Sequence, residues 1–170
     1  MHSRLPRARW EVLTTAWWMR EALVHERLSM FNGNERTLVH TDMFGQNLLV
    51  QHGRLTAVLD FEMARAAAPD LELDVLLRFC HWPHLPVAPE EEHLMRREDF
   101  RPVPEWLAEV YPELFDVPRL RERLEVYAVM HDLRQSIQFP ERPGEPEWRP
   151  VQRLRAVVDG CSYLRDLAAG

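Results

Sequence analysis

Leu38-Val39-His40-Thr41-Asp42-Met43-Phe44-Gly45-Gln46-Asn47-Leu48-Leu49-Val50, continued by Leu55-Thr56-Ala57-Val58-Leu59-Asp60-Phe61-Glu62, is the stretch on which the reading of this chain turns. Three apolar, strand-like runs, Thr37 to Val39, Asn47 to Val50 and Leu55 to Leu59, are separated by polar or turn-forming residues. Gln51-His52-Gly53-Arg54 reads as the hairpin turn between the last two. His40, Asp42, Asn47 and Asp60 therefore fall at strand ends, where a rigid scaffold can aim them.

A His, two Asp and an Asn so placed suit the transfer of a phosphoryl group. A hydroxyl nucleophile needs a carboxylate to orient it and accept its proton, and the phosphate oxygens need a divalent metal held by oxygen donors. Asp42 can supply the first function, and Asn47 with Asp60 the second. Hard oxygen ligands of this kind suit Mg²⁺, which keeps waters and shares substrate phosphates as ligands. Taken singly, an Asp after a strand is a turn or cap residue and a lone His a packed side chain; the three oxygen donors gain weight from falling together.

His40-x-Asp42-x-x-x-x-Asn47 followed by Asp60-Phe61-Glu62 resembles the catalytic loop and metal-binding loop of the aminoglycoside phosphotransferase and choline kinase family, relatives of the protein kinases. The resemblance implies Asp42 as catalytic base, Asn47 and Asp60 as metal ligands, and His40 as a support for the catalytic loop. Asp74, in Ala68-Pro69-Asp70-Leu71-Glu72-Leu73-Asp74-Val75, looks like the family's later Asp, which opens a helix and braces the loop through backbone hydrogen bonds. Thr41 stands where Gly is common in the family. Implied with these roles are ATP as phosphoryl donor, Mg²⁺ as cofactor and a small-molecule hydroxyl as acceptor. The resemblance is strong over residues 37 to 77 and loose in the surrounding helices.

Outward from this stretch, the family pattern places a nucleotide-binding lobe ahead of the catalytic loop. Five strands, a helix and their turns need on the order of 70 residues, and 39 residues precede His40. No segment there reads as a sheet. From Trp10 to Met30 the chain lacks Gly and Pro and repeats apolar positions near helical spacing, so one leading amphipathic helix is expected over 10–30, stopped at Phe31-Asn32-Gly33-Asn34. The chain has no Lys and its six Gly are scattered, so neither a Gly-rich phosphate loop nor a phosphate-binding lysine is present. The expected fold is mainly α with a small β-hairpin, resembling the helical C-terminal lobe of a kinase-like phosphotransferase without its small lobe. It is expected as a single domain over 1–170: the leading helix, the catalytic and metal-binding loops over 37–62, and a helical substrate-side part over 70–170. Two functions follow. One is an ATP-dependent phosphotransferase whose nucleotide lobe is borrowed from another chain or encoded upstream; a homodimer, in which a second copy covers the exposed faces, is a further partner expected. The other is an inactive, truncated member serving as a binding or regulatory module, or half of a split enzyme.

Composition fits a soluble domain able to bury one core, with 46% hydrophobic residues in 170. A formal net charge of −6 argues against a general nucleic-acid binder, and all 21 basic residues are Arg. Cys80 and Cys161 lack a Cys-x-x-Cys spacing and read as free thiols of a reducing compartment. No apolar run has the length of a membrane span and no secretory signal is evident, so the expected location is cytoplasmic, away from membranes.

The remaining sequence reads as helical scaffold. Helices are expected over Glu72 to Trp82, with Leu73, Leu76, Leu77 and Cys80 inward; from Pro104 to Val110; over Pro118 to Phe139, with Leu120, Leu124, Val126, Tyr127, Met130, Leu133 and Ile137 inward; and over Val151 to Ala169. Pro140 to Pro150 reads as an exposed loop. His81, His84 and His93 do not make a metal motif, because Pro83 breaks the helix that would align them. Glu90-Glu91-Glu92 and Glu98-Asp99 suit either a wall facing a cationic substrate or a solvated face paired to Arg96 and Arg97. His131, Asp132, Arg134 and Gln135 receive no role.

Overall fold

The computed structural model describes residues 14, 18, 27–32, 35–138 and 150–166, which are mainly helical with two small antiparallel sheets. They group into two compact units, one holding residues 33–120 and the other the residues up to Asn32 with those from Arg121 onward. Among the described residues no helix is long and apolar enough to cross a membrane.

In the first unit, β1 (Thr37–Val39) pairs antiparallel with β4 (Arg65–Ala67), and β2 (Leu48–Gln51) pairs with β3 (Arg54–Val58). The hairpin turn carries positive φ at both central residues, 51° at His52 and 72° at Gly53. That backbone matches the right-handed twist of the flanking strands, and Gly53 adopts it without a Cβ penalty. Strand β4 is a departure from expectation. Arg65-Ala66-Ala67 has little intrinsic strand preference; it becomes a strand by pairing with β1, Val39 opposite Arg65. Asn47 is also displaced from the strand expected to contain it, and sits in a 3₁₀ turn, Gly45–Asn47, that delivers the chain into β2.

Helix α1 (Asp70–His81) begins after Pro69 with Asp70 and Glu72 in its first turn and ends with Arg78 and His81 in its last, both arrangements favoured by the helix dipole. Its buried stripe is Asp70, Leu73, Asp74, Leu77 and Cys80, so two carboxylates share the core-facing side with the apolar residues. Asp74 pairs with Arg78 one turn on. Burial raises the Cys80 thiol to about 11, as fits an inert packing residue. Two short helices follow, α2 (Arg97–Phe100) and α3 (Val103–Val110), the second with Pro104 in its first turn where no amide is required. Phe44, Phe79 and Phe100 form a run of ring contacts, 5.1 and 4.8 Å between centroids, which ties the loop after β1 to α1 and α2.

The second unit is built on α4 (Leu120–Gln138) and α5 (Pro150–Val158). Val126, Val129, Leu154 and Val157 form its core, with Met30, Phe31 and Leu133 packed against them. The apolar stripe expected on α4 is wider than its sequence suggests. Residues 123–126, 128 and 129 are all buried, while Met130, expected inward, is 54% exposed. The buried charges are partnered: Arg123 donates to the Met30 carbonyl at 2.7 Å and lies 4.5 Å from the Phe31 ring centre, Glu125 accepts from Arg27 at 2.7 Å, and Asp132 accepts from Arg153 at 2.6 Å. The expected final helix over 151–169 is broken. At Gly160, with φ of 66°, the amide reaches the Val157 carbonyl and the Cys161 amide the Ala156 carbonyl, which closes α5 and leads to a separate 3₁₀ turn, Tyr163–Asp166. Most of the leading helix expected over 10–30 and nearly all of the Pro140–Pro150 loop lie outside the described residues; Thr14, Trp18 and Arg27 are helical and Leu28–Phe31 is a 3₁₀ turn.

Candidate active site

Two loops at the open ends of the small sheets carry the site residues. The first follows β1 and holds His40 to Asn47; the second follows β3 and holds Leu59 to Met63. A two-stranded sheet alone would leave such loops to fray. Here they are joined at several points. His40 is buried, and its Nε2 donates to the Leu59 carbonyl at 2.7 Å, which assigns the proton to that nitrogen. Its ring meets Phe61 edge-on, 4.8 Å between centroids. The Leu59 amide in turn donates to the Asn47 carbonyl at 2.8 Å, which ties the residue before Asp60 to Asn47.

Within the first loop, Asn47 Nδ2 donates both to the Asp42 carbonyl, at 2.8 Å, and to Asp42 Oδ2, at 3.0 Å. With its nitrogen so used, the amide has its oxygen left as a donor atom for a cation. Asp42 and Asn47 are half-buried, whereas Asp60 is exposed in left-handed backbone, φ 58° and ψ 66°, and its side chain makes no capping bond to the 3₁₀ turn Phe61–Met63 that follows. Strained non-glycine backbone of this kind concentrates where function over-determines geometry. Among the described residues no three His, Cys, Asp or Glu side chains form a ready metal cage. One carboxylate and one amide oxygen, those of Asp60 and Asn47, instead suit a Mg²⁺ ion completed by phosphate oxygens and water.

The model of the phosphotransferase enzyme family matches residues 2–93, more than half of the chain. The chain belongs to that family. No curated protein and no solved structure matches it. The family match spans both loops and α1, so every site residue named above falls inside it.

The amides of His40 and Thr41 donate to Glu72 Oε2, at 2.6 and 3.0 Å, so Glu72 braces the first loop. Asp74, to which the resemblance points for this role, lies inside α1 rather than opening it and pairs with Arg78. Three acids at alternate positions, 70, 72 and 74, are equivalent to a reader of spacing alone. Helix phase separates them: 70 and 74 lie on the buried stripe and 72 points from the first turn toward the loop. Thr41, also unassigned from sequence, has φ of 62° and donates its hydroxyl to the Met63 carbonyl at 2.8 Å.

The acidic segment is solvent-exposed, as a solvated face would be, but its pairing differs from the one expected. A 3₁₀ turn, Glu92–Leu94, is followed by extended backbone at Arg96, so no continuous helix pairs Glu90–Glu92 with Arg96 and Arg97. Arg96 binds Asp99, Arg97 reaches His81 Nδ1 at 2.9 Å, and Glu91 accepts from Gln46 of the first loop at 3.4 Å.

Proposed function

We propose that this family member transfers the γ-phosphoryl group of ATP to a hydroxyl of a small molecule. The observation that carries the reading is the cross-linking of the two loops, in which His40 holds Leu59 and Asn47 holds both Leu59 and Asp42. It gathers one carboxylate fit to act as a base and two oxygen ligands fit to hold Mg²⁺. Bound Mg²⁺ supplies charge neutralisation on the phosphate oxygens. Asp42 orients the acceptor hydroxyl and takes its proton; the hydroxyl oxygen forms the new bond to phosphorus as the bond to the leaving ADP oxygen breaks. Asn47 serves twice, since its Nδ2 fixes the Asp42 carboxylate while its oxygen would be the atom to hold a bound cation. His40 keeps the loops in register through its bond to Leu59.

Calorimetric titration with ATP, with and without Mg²⁺, tests the reading against an Asp60→Ala variant. Saturable binding that requires both Mg²⁺ and Asp60 is the expected result. Absence of such binding overturns it in favour of the second function, a non-catalytic binding module or half of a split enzyme. Leu49, Val50 and Leu55 of the hairpin are exposed, as residues that another chain covers would be in that alternative.

A further inference from the structure

His40 and Thr41 are consecutive, and their side chains grip the second loop on either side of Asp60. His40 Nε2 takes the Leu59 carbonyl, and Thr41 Oγ1 takes the Met63 carbonyl at 2.8 Å. Between the two gripped carbonyls lies Asp60 in left-handed backbone. Thr41 itself is left-handed at φ 62°, a conformation strongly disfavoured for a β-branched residue. Its amide is fixed by Glu72 Oε2 at 3.0 Å, so the strained backbone is held from one side by α1 while the hydroxyl is aimed at the other loop. A residue chosen for backbone comfort here would be Gly, which has no hydroxyl. The strain at Thr41 is therefore coupled to a contact that only a hydroxyl side chain at this position makes.

The geometry points to Thr41 as a positioning residue for Asp60: its hydroxyl clamps the Met63 carbonyl and so fixes the Asp60 carboxylate relative to Asp42 and Asn47. The inference rests on the assignment of Asp60 as a cation ligand, and it deepens that assignment by naming what holds the ligand in place. Thr41 reaches neither phosphate nor acceptor in this role; it acts through Met63.

The test uses the full chain and the variants Thr41→Ser, Thr41→Ala and Thr41→Gly. Amide hydrogen exchange reads the clamp without any nucleotide. The Ala64 amide, bonded to the Phe61 carbonyl at 3.0 Å, reports the clamped turn, and the Leu59 amide, bonded to Asn47, serves as an internal reference. Loss of one hydrogen bond should speed exchange at Ala64 by roughly five- to tenfold in Thr41→Ala, with Leu59 little changed, and Thr41→Ser should restore the wild-type rate. Thr41→Gly removes the backbone strain with the hydroxyl, so it keeps the test valid if the Ala variant folds poorly. It should leave the global unfolding midpoint unchanged or higher while Ala64 still exchanges faster, a combination that a merely structural role does not produce. Equal exchange at Ala64 in wild type, Thr41→Ser and Thr41→Gly overturns the inference. The affinity for Mg²⁺ with ATP gives the second readout, expected to fall about tenfold in Thr41→Ala or Thr41→Gly and to recover in Thr41→Ser. If exchange follows the hydroxyl while wild type shows no Mg²⁺-dependent ATP binding, the clamp stands and the phosphotransfer reading fails.

Discussion

Glu72 is the residue on which the loop after β1 hangs. One oxygen, Oε2, accepts the amides of both His40 and Thr41, and the other, Oε1, is buried with no hydrogen-bond partner among the described residues. A charged acceptor shared by two amides is stronger than a neutral one, and its removal leaves both amides unsatisfied beside the buried His40. Glu72→Ala should cost about 2–4 kcal/mol of stability, read from urea unfolding, and Glu72→Gln, which keeps one acceptor oxygen, about half as much. An Ala variant within 0.5 kcal/mol of wild type, roughly the scatter of surface substitutions, would show that the loop carries its own shape. The family resemblance drew attention to Asp74 instead. Asp74 and Glu72 are two residues apart in one acidic run, and only the direction of the helix tells which carboxylate meets the loop.

Among the elements, the end of α5 gives the sharpest case. Val151, Leu154 and Val158 continue in helical spacing into Cys161 and Leu164, which is why one helix to Ala169 is expected. Gly160 overrides the spacing. Its left-handed φ of 66° lets two amides turn back onto the carbonyls of Ala156 and Val157, so the chain is turned off the helix axis and Leu164 is buried from a separate 3₁₀ turn. A Cβ built at Gly160 meets no atom within 4 Å, so substitution acts on the backbone alone. Gly160→Ala should therefore lower stability by about 1 kcal/mol, and Gly160→Asn by less, measured as shifts in the denaturant midpoint at constant slope. No loss for Ala would mean that α5 has another stop. The hairpin turn was legible because its residue types and its length agreed. Strand β4 was not, since Arg65-Ala66-Ala67 has no pattern of its own and depends on a partner strand far upstream, Thr37 opposite Ala67 and Val39 opposite Arg65.

For the molecule as a whole, the helical unit of α4 and α5 is organised around buried charge as much as around apolar contact. Asp132 and Arg153 are both at most 9% exposed and joined by two hydrogen bonds, at 2.6 and 2.9 Å, which locks α5 in register on α4. Breaking such a pair strands the remaining charge, so Asp132→Ala should destabilise by about 3–5 kcal/mol. The double replacement Asp132→Leu with Arg153→Met should recover most of that loss, because two apolar side chains of similar volume need no partner. Thermal unfolding of the two variants separates the explanations: equal loss in both would place the effect in side-chain shape rather than in stranded charge. The sequence placed Asp132 on the long helix without a role, since nothing in a one-dimensional pattern shows that Arg153, 21 residues on, turns toward it.

What the sequence determined by itself is local. The order His40, Asp42, Asn47, Asp60, the strands and turn between them, the helices expected over Glu72 to Trp82, Pro104 to Val110 and Pro118 to Phe139, found within two residues of those bounds among the described residues, and the family all follow from residue types at short spacing, because backbone preference, turn chemistry and apolar periodicity act over a few residues. Tertiary structure decided which groups of equal local standing meet. It selected Glu72 in the acidic run of α1 as the receiver of the loop amides, raised Thr41 from a tolerated substitution to a tie between loops, made a strand of Arg65–Ala67 and paired Asp132 with Arg153. Each of these depends on the direction of a side chain across a gap in sequence, and that direction is fixed only when packing and hydrogen-bond satisfaction are settled for the whole fold at once.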